Sequence, residues 1–89
     1  MIFRSRPHTI EAFQFTGGKI KPPDWFVAAY RDGLAMATIN AQTQYITVFA
    51  KDGAHKAFIG DWVCRNGTGT LFVLGNEEIH ESFEPQSGT

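Results

Sequence analysis

The sequence predicts a small α+β fold: a twisted antiparallel sheet, or a partly open barrel, with one short helix packed on it. Three observations lead there. Runs rich in β-branched and aromatic residues, clearest at 43–50 and 62–74, alternate with turns containing Gly, Asn and Asp. Only residues 21–33 combine helical spacing of large apolar groups with start and stop signals. The chain has 89 residues, 43% hydrophobic and 13% aromatic with eight Phe, which supplies apolar material for one core and excludes a second. The expected organisation is therefore a single domain over residues 1–85 followed by a mobile polar tail at 86–89.

In order along the chain, residues 2–6 read as a lead-in or edge segment, because Pro7 lacks an N–H and suits a strand start or edge. Residues 9–16 then place Glu11, Phe13 and Phe15 on one side of a strand and Ile10, Ala12 and Gln14 on the other. Both sides are mixed, so the strand is expected to be covered on both faces. Gly17 and Gly18 end it. The helix follows at 23–31, with Pro in its first turn, Asp24 at the positive end of the dipole and Gly33 placed beyond its end. Trp25, Phe26, Ala29 and Tyr30 recur at helical spacing and turn one face toward a sheet.

Residues 34–39 are read as a short strand and 43–50 as the clearest strand. Asp52-Gly53 turns the chain into 54–59 to close a first hairpin. Gly60-Asp61 forms a corner in which glycine tolerates a positive φ and the aspartate caps nearby N–H groups. A second hairpin runs from Trp62 to Leu74, with Asn66-Gly67 matching the residues that type I′ turns prefer. At 76–84 a helical turn with Asn76 as N-cap and Ile79 and Phe83 facing inward competes with a short strand around residues 80–84.

Charge and cysteine content narrow the function classes. Eight Lys and Arg against nine Asp and Glu give a net charge of -1, which argues against generic nucleic-acid binding, since that rests on many cations neutralising phosphates. The single cysteine, Cys64, allows no intrachain disulfide and fits a reducing compartment. The N-terminal residues lack the apolar core of a signal peptide, and no run approaches the roughly 20 apolar residues that span a bilayer. No membrane association is expected.

Candidate chemistry is sparse. Cys64 alternates with Trp62 along a strand and reads as a buried, inert thiol. The spacing of His8, His55, Cys64 and His80 matches no ligand pattern, so neither metal nor cofactor is expected. Residues 66–70 resemble a phosphate-cradling loop in composition, but they join two strands, with no helix after them. Arg4, Arg6 and His8 share one side of the N-terminal segment, where they present cations to an anion or an acidic partner, or simply form a solvated edge. Trp25, Tyr45 and Trp62 are the aromatic residues best suited to anchor an interface. With Arg4 and Arg6, these three make up the candidate binding residues.

The basic start with Pro7, then Glu11-Ala12-Phe13-Gln14-Phe15, Gly60-Asp61-Trp62-Val63 and Phe83-Glu84-Pro85, resembles a family of small uncharacterised proteins of tailed phages and prophages. The likeness touches both ends and the middle of the chain; residues 17–50 carry none of it. It implies a setting, the cytoplasm of a bacterial host, and no catalytic residue comes with it. The expectation is an accessory protein, not an enzyme, that binds and modulates a host or phage protein. The alternative is a protein that binds or sequesters a nucleotide-like ligand in one pocket lined by Trp25 and Trp62 with Arg4 or Arg6 nearby. A homodimer at micromolar concentration is also expected, through Tyr45 and Phe49 on one face of the clearest strand.

Overall fold

The computed structural model describes residues 2–5, 8–18, 21–82 and 84–85, with side chains from Ile10 to Glu81 within those segments. The chain runs β1 (Ile2–Ser5), β2 (His8–Gln14), α1 (Asp24–Arg31), β3 (Ala35–Ile39), β4 (Gln44–Ala50), β5 (Gly53–Phe58), β6 (Trp62–Arg65), β7 (Leu71–Leu74), α2 (Asn76–Ser82) and β8 (Glu84–Pro85). The α+β class is as expected, and the strands are antiparallel throughout. They divide into two sheets not closed into a barrel: a five-stranded one ordered β7-β6-β2-β1-β8 and a three-stranded meander β3-β4-β5.

This division follows from what the strands can bury. Ala12 pairs with Cys64 and Phe13 with Val63, so β2 and β6 lie side by side in the larger sheet. On one of its faces Ile10, Ala12, Trp62 and Cys64 form a cluster with Ile79 of α2. On the other, Val63 and Leu71 join Phe15, Phe26 and Ala29 near α1 and Ala35, Ile46, Val48 and Ala57 of the smaller sheet. The mixed composition of β2 is thus that of a strand covered on both sides, as its pattern predicts.

Helix α1 begins after Pro23, whose carbonyl accepts the N–H groups of Phe26 and Val27 at 3.0 and 3.2 Å. It ends in a Schellman motif at Gly33, φ 80°. There the Leu34 N–H reaches the Ala29 carbonyl at 2.9 Å and the Gly33 N–H that of Tyr30 at 3.2 Å. Phe26 and Ala29 are buried, while Tyr30 is exposed, so the inward face is narrower than the sequence spacing suggests.

The corner at 59–61 carries the chain from one sheet to the other. Gly60 has φ 99°. Asp61 Oδ2 accepts the Phe58 N–H at 2.9 Å, and the Asp61 N–H returns to the Phe58 carbonyl at 2.9 Å. Two further bonds tie the corner to the end of β2: Gly60 N–H to Phe15 O at 2.8 Å and Phe15 N–H to Asp61 O at 2.9 Å.

The turn between β6 and β7 differs from the expected type I′ geometry. That turn needs positive φ at both central residues, whereas no residue other than glycine has positive φ here, and in this loop it is Gly69, φ 85°, that does. Asn66 imposes the longer loop: its Oδ1 accepts the N–H groups of Thr68 and Thr70, both at 3.0 Å, and the Thr68 hydroxyl at 2.7 Å. With the Gly69 N–H donating to the Asn66 carbonyl at 3.0 Å, the amides of Thr68, Gly69 and Thr70 are already bonded within the loop.

Helix α2 prevails over a strand at 76–82, and the two-residue β8 follows it. Its cap sits one residue earlier than expected. The Gly75 carbonyl accepts the Ile79 N–H at 3.0 Å and the Gly75 N–H donates to Glu78 Oε1 at 2.9 Å, which is the reciprocal half of a capping box. Asn76 is drawn away because its Oδ1 accepts the Trp62 indole N–H at 3.0 Å. Phe83, expected to point inward, lies outside the described residues.

Candidate functional site: an exposed apolar sheet face

In the three-stranded sheet, side chains alternate between a core face and an outer face. Ala35, Ile46, Val48 and Ala57 are buried against the core. The register pairs Met36 with Thr47, Thr38 with Tyr45, Tyr45 with Phe58 and Thr47 with Lys56, which places all of these together on the opposite side. Leu34 and Phe49 extend the same face, joined by the Phe49 N–H to Leu34 O bond at 2.9 Å. Met36, Phe49 and Phe58 are 53%, 42% and 51% exposed, and Leu34 is 46% exposed. Tyr45 and Phe58 pack with their rings tilted at 55° and centroids 5.7 Å apart, and Lys56 Nζ lies 4.7 Å from the centre of the Tyr45 ring. The result is a sheet face on which Leu34, Met36 and Phe49 at one end and Tyr45 and Phe58 at the other flank Thr47 and Lys56.

Sequence reasoning found Tyr45 and Phe49 on this face and missed Leu34, Met36 and Phe58. A signal was present. In Leu34-Ala35-Met36-Ala37 the large residues alternate with alanine, and it is the alanines that face inward. Ala35 is in the cluster that includes Phe26 and Ala29 of α1.

The other candidate residues do not converge on it. Trp25 packs tilted against Phe13, centroids 5.7 Å apart, and carries the Arg65 guanidinium over its ring at 5.2 Å. Arg65 is in turn paired with Glu11, its neighbour across the β2–β6 ladder. Trp62 is buried on the far side of the larger sheet, edge-on to His80 at 6.0 Å. The single pocket lined by Trp25 and Trp62 is therefore corrected: strand alternation puts Trp62 with Cys64 under α2, while Trp25 belongs to the face covered by α1. Arg4 is described by its backbone alone, opposite Thr9 and Glu84, and Arg6 lies outside the described residues.

Two titratable features remain. Burial pushes the Cys64 thiol up to about 12, so it is held as a neutral thiol in the core rather than as a nucleophile. At the β4–β5 turn, the His55 ring lies 2.8 Å from Asp52 Oδ1 and, by that hydrogen bond and by its charge, holds the Asp52 carboxyl below its usual value. Both side chains are exposed, as in an ordinary surface pair. Among the described residues no group of three or more His, Cys, Asp or Glu is placed to hold a metal ion, and no helix is long and apolar enough to cross a membrane.

Compared with known proteins, the chain matches no family model, no curated protein and no solved structure.

Proposed function

We propose that this protein is a non-catalytic binding module, a small phage accessory protein that docks onto and modulates a host or phage protein in the bacterial cytoplasm. The observation that carries the binding role is the outer face of β3-β4-β5, where Leu34, Met36, Tyr45, Phe49 and Phe58 are gathered on the side of the sheet away from the core. Large apolar groups gathered on one exposed face and interspersed with polar ones are a recurrent mark of protein contact, with aromatic groups as anchors. The phage setting rests on the motif likeness at Pro7, residues 11–15, 60–63 and 83–85. The nucleotide-sequestering alternative has less support. Of the two described cations that lie over aromatic rings, Arg65 is already neutralised by Glu11, and Lys56 lies over Tyr45 on the outer sheet face rather than in a pocket with Trp25 or Trp62.

The test is native affinity capture from a bacterial lysate, run in parallel with wild-type protein and a Phe49→Glu variant, with bound small molecules released and identified by mass. A stoichiometric protein captured by wild type and lost in the variant, at an unchanged melting midpoint, is the expected result. The same proteins captured by both, or a co-purifying nucleotide in place of a protein, would refute it.

A further inference from the structure

The outer face ends at β3, and β3 is a free edge of its sheet. The Phe49 N–H to Leu34 O and Asn40 N–H to Thr43 O bonds mark the positions at which β3 bonds to β4. By ladder alternation Leu34, Met36, Thr38 and Asn40 turn their backbone groups toward β4. Ala37 and Ile39 consequently point theirs away from the sheet, and among the described residues nothing pairs with them. Exposed edges are ordinarily blunted by charge, proline, a bulge or a cover. The β3 sequence, Ala-Met-Ala-Thr-Ile, has neither charge nor proline. The other described edges differ: β5 carries His55 and Lys56, β7 is packed against β4 and β5, and β8 consists of a glutamate and a proline.

Beside this edge lies an apolar groove of about 310 Å³ between α1 and the core side of β3. It is lined by Phe26, Val27 and Tyr30 of α1 and by Ala37, Ile39 and Ile46 of the sheet, with the Gly17-Gly18 turn at one end. The volume is at the lower end of those that hold a ligand group, roughly 300–1,000 Å³. Ala37 and Ile39 thus do two things at once: their side chains form a wall of the groove and their backbone faces the open edge.

We infer that the partner engages this protein as an extended peptide segment that adds to β3 as a fourth strand. Every second side chain of that segment enters the groove beside Phe26 and Tyr30. The intervening ones lie on the outer face beside Met36 and Thr38. Because both sides of β3 are apolar, the segment is apolar at successive positions, unlike an amphipathic strand that alternates with polar residues. Area favours this mode over simple face-to-face docking. Three strands about 4.8 Å apart, each about 20 Å long, present roughly 300 Å² of flat face, well short of the about 800 Å² per partner of a standard interface. An added strand draws on the edge, the groove and the face together.

This inference rests on the protein-binding reading, and the experiment separates the two. The probe is a fluorescein-labelled, terminally blocked peptide of five alternating Val and Ile residues flanked by lysines, titrated by fluorescence anisotropy. Saturable binding to wild type is expected. Affinity should fall at least tenfold when alternate residues of the peptide are N-methylated, since its donors to β3 are removed while its side chains stay. Ala37→Pro, which deletes an outward N–H at a position where an edge strand tolerates proline, should weaken binding at least tenfold as well. If that variant does not fold, the N-methylated peptide on wild type decides the matter. Equal affinity for the methylated peptide, or no binding up to 1 mM, overturns strand addition. Binding lost in Phe49→Glu but kept in Ala37→Pro overturns strand addition too and leaves the face reading standing. Binding lost in Ala37→Pro alongside a failed lysate capture does the reverse.

Discussion

Cys64 shows how a single position in a strand is decided by what lies above it. It sits opposite Ala12 and Phe72 in the cluster sealed by Ile79 of α2, and it is fully buried. Desolvation penalises the thiolate and pushes the thiol up to about 12. Two outcomes are expected. A thiol reagent at pH 8 should leave native protein unmodified and label it completely in denaturant. The pH dependence of stability has a definite sign: below about 9 the thiol is protonated folded and unfolded alike and contributes no slope. From about 9 to 12 the unfolded chain loses the proton that the folded chain keeps, so stability falls as pH rises. Melting midpoints of wild type and Cys64→Ala should therefore run parallel up to about pH 9, with wild type losing ground above it. Rapid native labelling, or parallel curves to higher pH, would contradict the buried thiol.

At the scale of elements, the corner between β5 and β6 controls how the two sheets meet. Its N–H and C=O groups bond to both sides of Phe15, so the end of β2 and the crossing point are held together. The Gln14 side-chain amide adds a bond to the Gly60 carbonyl at 3.1 Å. A Cβ at Gly60 would meet no atom within 4 Å, which isolates the backbone effect from steric crowding. With φ at 99°, Gly60→Ala is expected to cost about 1 kcal/mol or slightly more. A denaturant midpoint shifted to lower concentration at constant slope would show it, and an unchanged midpoint would refute it. Asn76 is diverted from capping in a comparable way: an indole N–H buried beneath α2 requires an acceptor, and the Asn76 Oδ1 accepts it.

For the whole molecule, the exposed face bears on self-association. Two copies stacked through Tyr45, Phe49 and their neighbours bury the apolar groups that a lone chain leaves in water. A footprint of roughly 300 Å² per copy points to a weaker dimer than the micromolar one that aromatic content alone suggests. Sedimentation equilibrium is expected to give a mass near 9.9 kDa at low micromolar concentration. The mass should rise toward twice that value at hundreds of micromolar, and Phe49→Glu should abolish the rise. A concentration-independent monomer would exclude this contact.

Much of the local architecture was legible in the chain because it depends on local chemistry. The helix at 24–31 follows from proline, apolar spacing and glycine. The β4–β5 hairpin follows from Asp52-Gly53 between apolar strands, and the corner follows from Gly60-Asp61. The two-sided burial of β2 was readable from its lack of a polar face. Tertiary structure alone decided the partition into two sheets, the placement of Trp25 and Trp62 on opposite faces, and the outward direction of Leu34 and Met36. Those outcomes depend on which strands pair across long separations, and strand alternation specifies two faces without saying which is covered. In β3 the face turned toward α1 carries Ala35 and Ala37, with Ile39 at its far end, and Leu34 and Met36 fall on the opposite side.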